Sequence, residues 1–318
     1  MSRPPFSIVI ALGLSAVTFE PALAQSYPTR PLQLVVPFSA GSSIDILARG
    51  LAEGLSAELG RPTLVVNREG ASGTIAFVAV ANSVPDGYTL AFAAQGQLTI
   101  QPHLKPDLPY QADAFQPICQ VFEDVLAIIV GPNSPIANFN DLLDRARAKP
   151  RGLTFGSGGV AIIPHLQVEG LARTSGIEVV HAPYRNIGQM IQDVVGGRLD
   201  FGVTSTASIS GSDARVLAIL GQARSSHFPG APTVAELGHP VSMPGFGGLY
   251  APSAVPAAVR DRLEQACAKA FVSTAFQRVT ASLGVMPIFL PRSEFAARVA
   301  EDSREKAEII KALNIAAE

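Results

Sequence analysis

Leu32 to Val36 is an apolar run that passes through Pro37-Phe38-Ser39-Ala40-Gly41-Ser42-Ser43-Ile44-Asp45 into a helical pattern. The chemistry such a turn offers is capture of an anion. The first four N–H groups of a helix lack an intrahelical acceptor and stand at the positive end of the macrodipole, so a carboxylate placed there takes up those hydrogens. Phe38 is positioned to pack on the apolar body of a ligand or to close the core beneath it. Asp45 carries the wrong charge to touch an anion and is expected to orient the turn instead.

A second glycine-rich stretch, Gly156-Ser157-Gly158-Gly159-Val160-Ala161, follows another apolar run and fits the Gly-x-Gly-x-x-Ala dinucleotide pattern, with Glu178 at about the expected distance beyond. A nucleotide-dependent enzyme using the Gly156–Ala161 turn is therefore the alternative reading. Against it, Glu178 opens its predicted strand, whereas a ribose-binding acid stands at a strand's end, and exported compartments seldom supply such cofactors. Ser157 is not a nucleophile elbow, because the position two residues earlier that needs glycine is Phe155. His103, His165, His181, His227 and His239 show no metal-ligand spacing among themselves or with the two cysteines. No metal, no cofactor and no catalytic residue is expected. His165, near a predicted helix start, either holds a structural hydrogen bond or lines a cleft; Tyr184 and Arg185 are placed to clamp that cleft, with a solvated or domain-bracing side chain as the alternative for Arg185.

The elements that must position these residues alternate short apolar runs with helical ones from residue 32 onward, which predicts parallel strands joined by helices. Strands are predicted over 32–36, 63–66 and 89–93. Between the first two, Ile44, Leu47, Ala48, Leu51, Leu55 and Leu59 repeat at helical spacing and Gly60 closes the helix. A second crossover runs over 74–80 to the turn Pro85-Asp86-Gly87. The apolar run from Ile118 to Val130 is too long for one strand, is interrupted by Glu123 and Asp124, and is predicted to cross between lobes. A second set follows, with strands over 153–155, 178–180, 199–203 and 216–220, a helix from about Pro164, and one over 187–195 stopped by Gly196-Gly197. Two late helices, near 257–271 and 293–313, complete the pattern. The last carries Phe295, Val299 and Ile309 amid charges and is predicted to pack in a surface groove, returning to the first lobe.

Hydrophobic residues make up 47% of the chain and charged ones 16%, so a compact fold is expected and disorder is excluded. The formal net charge of -2 argues against nucleic acid as a partner. At the N-terminus, Arg3, the apolar run Ile8 to Phe19 and Ala22-Leu23-Ala24 form the pattern of a secretory signal cleaved near Ala24; the run is too short to span a bilayer. The two cysteines would then reside where disulfides are permitted. Cys119 in a strand-like run and Cys267 on a helix read as two buried free thiols, with a bridge as the alternative.

Taken in order, the strand-turn-helix, Asn67-Arg68-Glu69-Gly70-Ala71-Ser72-Gly73, Pro85-Asp86-Gly87-Tyr88-Thr89-Leu90, Pro183-Tyr184-Arg185 and Pro232-Thr233-Val234-Ala235-Glu236 carry a resemblance. The chain resembles the Bug-type substrate-binding proteins of tripartite tricarboxylate transporters over essentially all of its mature length. The resemblance implies a periplasmic, monomeric α/β protein of two lobes, each a mostly parallel sheet flanked by helices, with residues 25–125 and 248–318 in lobe 1 and 126–247 in lobe 2. It implies a solute-binding role rather than an enzyme: a small carboxylate ligand held between the lobes and delivered to a membrane permease of the tripartite tricarboxylate type or to a sensor. Carried over by position, the ligand-binding residues are Phe38, Ser39, Ala40, Gly41, Ser42, Ser43 and Asp45 in the first turn, Gln95, Ser157, Gly158 and Gly159 with His165 behind them, Tyr184, and Thr204 and Ser205. The chain departs from the family pattern at Ser42, Ile44, Asn186 and Phe246, the last standing where many members have tryptophan. These departures bear on ligand identity, not on fold.

Overall fold

The computed structural model describes residues 27–209, 211–221, 223–239 and 244–313; the expected signal segment and its cleavage site lie outside the described residues. The first βαβαβ unit comprises β1 (Leu32–Val36), α1 (Ser43–Leu59), β2 (Thr63–Asn67), α2 (Thr74–Ala81) and β3 (Thr89–Ala94). Local chemistry sets its ends. The Ser42 hydroxyl accepts the Asp45 N–H at the start of α1, and Gly60 closes that helix at a φ of 66°. β1 lies between β2 and β3, parallel to both, and is apolar except for the exposed Gln33 because helices cover its sheet. Leu32, Leu34 and Val36 face α1, whereas Val35 joins Phe77 of α2 on the other face.

Two single-turn helices, α3 (Gly96–Thr99) and α4 (Gln101–Leu104), precede β4 (Phe115–Glu123). The long apolar run then breaks at Asp124-Val125, so β4 belongs to the first sheet and β5 (Leu126–Val130) to the second. The second lobe continues through α5 (Phe139–Ala148), β6 (Thr154–Ser157), α6 (Ile163–Ser175), β7 (Val180–Pro183), α7 (Ile187–Val195), β8 (Phe201–Ser205) and β9 (Arg215–Leu220). The chain returns as β10 (Phe246–Pro252), followed by α8 (Ala257–Phe271), α9 (Thr274–Leu283), β11 (Leu290–Pro291) and α10 (Arg292–Leu313). Phe246 and Gly247, at the end of the segment expected to form lobe 2, pair in the first sheet.

The first sheet has the order β11-β4-β10-β3-β1-β2 and the second β7-β6-β8-β5-β9. This is the two-lobed α/β architecture anticipated from the sequence, but each sheet is mixed rather than mostly parallel. The reason is the crossing. β10 arrives from the second lobe and inserts antiparallel between β3 and β4, while β5 arrives from the first and lies antiparallel between β8 and β9. Two further expectations need correction. The strand predicted over 178–180 begins at Val180, leaving Glu178 exposed ahead of it, and α9 was not anticipated as a separate helix.

The cysteines are not free thiols. Cys119 on β4 and Cys267 on α8 are joined by a disulfide with their Cα atoms 6.6 Å apart. Burial in apolar surroundings describes both a bridge and two thiols, so only the distance between the elements decides. α8 and α9 come this close to α1 because Gly54 faces them: a Cβ there would stand 2.8 Å from the Ala270 Cα. The terminal helix α10 does return to the first lobe, packing on β4 and α3. Its C-terminal end also meets the second lobe, where Ile309 and Ile310 join Ile100 against Leu166 of α6.

Candidate ligand-binding cleft

Between the lobes lies a cavity of about 570 Å³. The first lobe contributes Pro37, Phe38, Ser39 and Ile44 from the β1–α1 turn, Glu69 to Gly73 less Ala71 from the β2–α2 turn, and Ala94, Gly96, Gln97, Ile100 and Gln101 behind β3. The second contributes Val160 to Pro164 at the start of α6, and Asp124 stands at the crossing. Three helix N-termini therefore open on one space: α1 through Ile44, α2 through its N-cap Gly73, and α6 through its N-cap Ile162. Among the described residues, no Lys, Arg or His lines the cavity. Among the described residues, positive potential in this cleft comes from peptide dipoles and open N–H groups, which suits an anion bound without a counter-charged side chain.

The first turn spends part of its hydrogen-bonding capacity on itself. Asp45, only 1% exposed, accepts the Gly41 N–H at 2.8 Å, the Arg49 Nε at 2.9 Å and the Asn67 Nδ2 at 2.8 Å. Burial alone would push its carboxyl upward, but the bonds from Arg49, Gly41 and Asn67 outweigh that and hold it below the usual carboxylate range. Ser42 donates its N–H to the Ser39 carbonyl and caps α1 with its hydroxyl. Thus Phe38 and Ser39 of the sequence-derived set line the cavity, whereas Ala40, Gly41, Ser42, Ser43 and Asp45 shape the turn from outside the lining. Across the turn, Asn67 also donates to the Phe38 carbonyl at 3.0 Å, tying β2 to the loop that presents Phe38.

The β2–α2 turn is an unusual backbone. Gly70, Ala71, Ser72 and Gly73 all have positive φ, and a Cβ on Gly73 would stand 2.8 Å from Gln97 Nε2 and 3.0 Å from Pro37 Cβ. Only glycine fits between those two lining residues at that φ. Ala71 and Ser72 lack that freedom, and non-glycine residues held there are a form of strain concentrated at binding sites.

On the second lobe, Ala161 donates its N–H to His165 Nδ1 at 2.9 Å, so His165 braces the turn from behind. His165 stacks on His181 with ring centroids 3.8 Å apart, and His181 Nε2 bonds the buried Ser157 hydroxyl at 2.7 Å. Ser157 also donates to the Gly159 carbonyl at 3.1 Å. A Cβ on Gly158 would meet Ile187 at 2.8 Å. Ser157, Gly158, Gly159 and His165 thus form the support of the turn, while the next residues along the chain line the cavity. Burial, and then the adjacent His165, depress the His181 imidazole to about 4. The unfolded chain, with His181 near 6.5, binds a proton that the native fold refuses, so stability is lost as pH falls from about 6.5 to 4. His181→Gln is expected to lose less Tm than the wild type over that window in scanning calorimetry; parallel Tm profiles would refute this.

The remaining sequence-derived residues lie apart from the cavity. Tyr184 donates its hydroxyl to Asp193 at 2.7 Å within lobe 2, and Thr204 and Ser205 pair with β5. Gln95 is buried below the lining, accepting the Phe246 N–H at 3.0 Å and so joining β3 to β10. What the sequence reading missed includes the β2–α2 turn with Glu69, Gly70, Ser72 and Gly73, then Gln97 and Gln101, Asp124, and the start of α6. Signals existed: a glycine at each end of the Gly70–Gly73 turn, glutamines at i and i+4 shortly after a strand, a pair of acids inside an apolar run, and a proline at the start of a helix. The alternative nucleotide site gains no support from Glu178, which is exposed, precedes β7 and contributes its carbonyl to the Arg151 N–H.

The profile of the tripartite tricarboxylate transporter family receptor, TctC, matches residues 47–315. The protein BugT of Bordetella pertussis is 30% identical, the alignment covering 92% of this chain and 91% of that one. Among solved structures, a TctC solute-binding protein from Polaromonas superposes with a TM-score of 0.80 at 26% identity, covering 90% of this chain and 99% of that one. The R. palustris protein Rpa4515, solved with adipate, superposes with a TM-score of 0.77 at 26% identity, covering 91% and 99%. With a two-lobed fold, a cleft fed by helix N-termini and a match over most of its length, this chain belongs to the tripartite tricarboxylate transporter receptor family.

Proposed function

We propose that this protein is a periplasmic receptor that captures a small carboxylate between its lobes and hands it to a membrane permease of the tripartite tricarboxylate type or to a sensor. The observation that carries this reading is the convergence of three helix N-termini on a cavity lined by no basic side chain among the described residues. Its relation to Rpa4515, whose structure contains adipate, is in keeping with a carboxylate ligand. Each hydrogen bond from an open N–H to a charged oxygen contributes about 1.5–3 kcal/mol, and a micromolar complex requires about 8 kcal/mol net. Three or four such bonds reach that scale before the costs of association, so the apolar wall of Phe38, Ile44, Ile100, Val160 and Ile162 must supply the surplus. The ligand favours a closed arrangement only through contacts with both lobes, and the partner reads that arrangement. The protein binds and releases; it does not transform its ligand.

A thermal-shift screen of residues 25–318 against mono-, di- and tricarboxylates, with the corresponding amides as neutral controls, tests the reading. Carboxylates alone should raise Tm; equal shifts from the amides, or none from any acid, would overturn it. Ser39 lines the cavity and is exposed, so Ser39→Asp places a negative charge in the site without disturbing the core. Calorimetry is expected to show carboxylate affinity lowered at least about tenfold, worth about 1.4 kcal/mol, with Tm unchanged. Unaltered affinity would remove the first turn from the site.

A further inference from the structure

The buried stripe of α10 changes neighbours along its length. Phe295 packs in the core of the first lobe, Asp302 pairs with the Thr99 hydroxyl of α3, and the Ser303 hydroxyl lies 2.8 Å from His103 Nε2 of α4. The middle of the helix is thereby fastened to the wall of the cleft that carries Gln97 and Ile100. Its last turns run on to the other wall. Ile309 and Ile310, 3% and 5% exposed, form one apolar cluster with Ile100 and Leu104 of the first lobe and with Leu166 and Ile163 of α6 in the second.

This cluster stands at a mechanically sensitive place. The chain passes between the lobes at Asp124-Val125 and again ahead of β10, and two such crossings leave rotation of one lobe against the other as the soft motion. Drawing α6 away from α10 in that rotation would bring Leu166, Ile309 and Ile310 into water, at a cost that grows with the apolar area uncovered. On the opposite face of the first sheet the lobes also touch, where His227 Nε2 lies 3.3 Å from the Ala281 carbonyl at the end of α9. That contact is exposed and polar, so water can replace it at little cost. Ile100 and Ile163 belong to the apolar cluster and also line the cavity, so the same contact backs both walls of the cleft.

We propose that the C-terminal end of α10 is a clasp: Ile309 and Ile310 hold α6 against the first lobe and bias the protein, before any ligand arrives, toward the arrangement in which the two walls face each other. The inference is independent of what the cleft binds. A ligand that needs both walls meets its site in proportion to the population of the clasped form, so side chains outside the cavity lining set part of its Kd.

The test is the distance between spin labels placed at Glu53→Cys in α1 and Ala148→Cys in α5, both exposed, measured by double electron–electron resonance on residues 25–318 without ligand. Cys119 and Cys267 are bonded to each other, so the labels go to the introduced thiols. Ile309→Ser with Ile310→Ser should raise the ratio of longer-distance to clasped molecules at least about tenfold, since two buried isoleucines lose their apolar contact. Leu166→Val, made from the second lobe, should shift the ratio the same way by a smaller factor, and stands in for the serine pair if that variant does not fold. A folded variant on either side whose distances are unchanged or shortened would overturn the proposal. So would a wild-type chain with no ligand-free population at the separation these two positions have in the clasped form. Because no ligand enters the measurement, either result leaves the carboxylate reading untouched.

Discussion

Asp302→Ala is expected to cost about 3–5 kcal/mol, a fall in Tm of roughly 10 °C, because it removes the nearer of the two carboxylates beside the buried ammonium of Lys306, the other being Glu305 at 3.7 Å. Both residues are 0% exposed and sit one turn apart on α10, with Nζ and Oδ1 3.2 Å apart. Burial pushes the Asp302 carboxyl up, against the opposing pull of Lys306 and of the Thr99 hydroxyl. Thr99 belongs to α3, the single turn that also presents Gln97 to the cleft, so the pair holds α10 beneath the floor of the site. The double substitution Asp302→Leu with Lys306→Met separates the cost of an under-compensated charge from the worth of the pair. It should recover most of the loss, since buried ion pairs are often no better than apolar residues of similar volume. Urea unfolding of wild type, Asp302→Leu, Lys306→Met and the double variant gives the coupling directly. A single variant within about 1 kcal/mol of wild type would show that Lys306 is neutralised or solvated in the fold.

Removing the bridge, by Cys119→Ala with Cys267→Ala, is expected to cost about 2–5 kcal/mol. The cysteines are separated by 148 positions, and the loop they close contains the whole second sheet, so the constraint on the unfolded chain is a long-range one. In the folded chain the same bond pins α8 to β4 in the core of the first lobe. Reductant added to wild-type protein should lower its urea midpoint to that of the double variant, and should leave the variant unmoved. A wild-type midpoint indifferent to reductant would show that the bridge does not form. The expected dependence ties full stability to an oxidising compartment, which accords with the export signal read at the N-terminus.

Much of the fold was legible because it is written locally. The bounds of β1 and of α7 follow from apolar runs and helix signals within a few residues, and α1 ends at Gly60 because a left-handed closing position suits glycine. The break in the long apolar run was visible as Glu123-Asp124, two charges inside a would-be strand. The stripe on α10 was half visible. Phe295 and Ile309 marked the buried face; Asp302 and Lys306 share that face by helical spacing, but their charges suggest solvent, and they are buried there as an ion pair.

The site itself was decided in three dimensions. Sequence determined that a strand, a small-residue turn and a capped helix follow one another, and that a second such unit starts near Gly156; the family motifs indicated two lobes with a cleft between them. It did not determine which amides of the first turn remain open, since Asp45 and Ser39 claim those of Gly41 and Ser42 through contacts that depend on rotamer and loop path. Nor did it determine that Gln97, Asp124 and Ile163 share one cavity, or that Cys119 meets Cys267. Hydrophobic period and capping are properties of neighbours along the chain, whereas a cleft and a disulfide depend on distances between elements that only the packed structure sets.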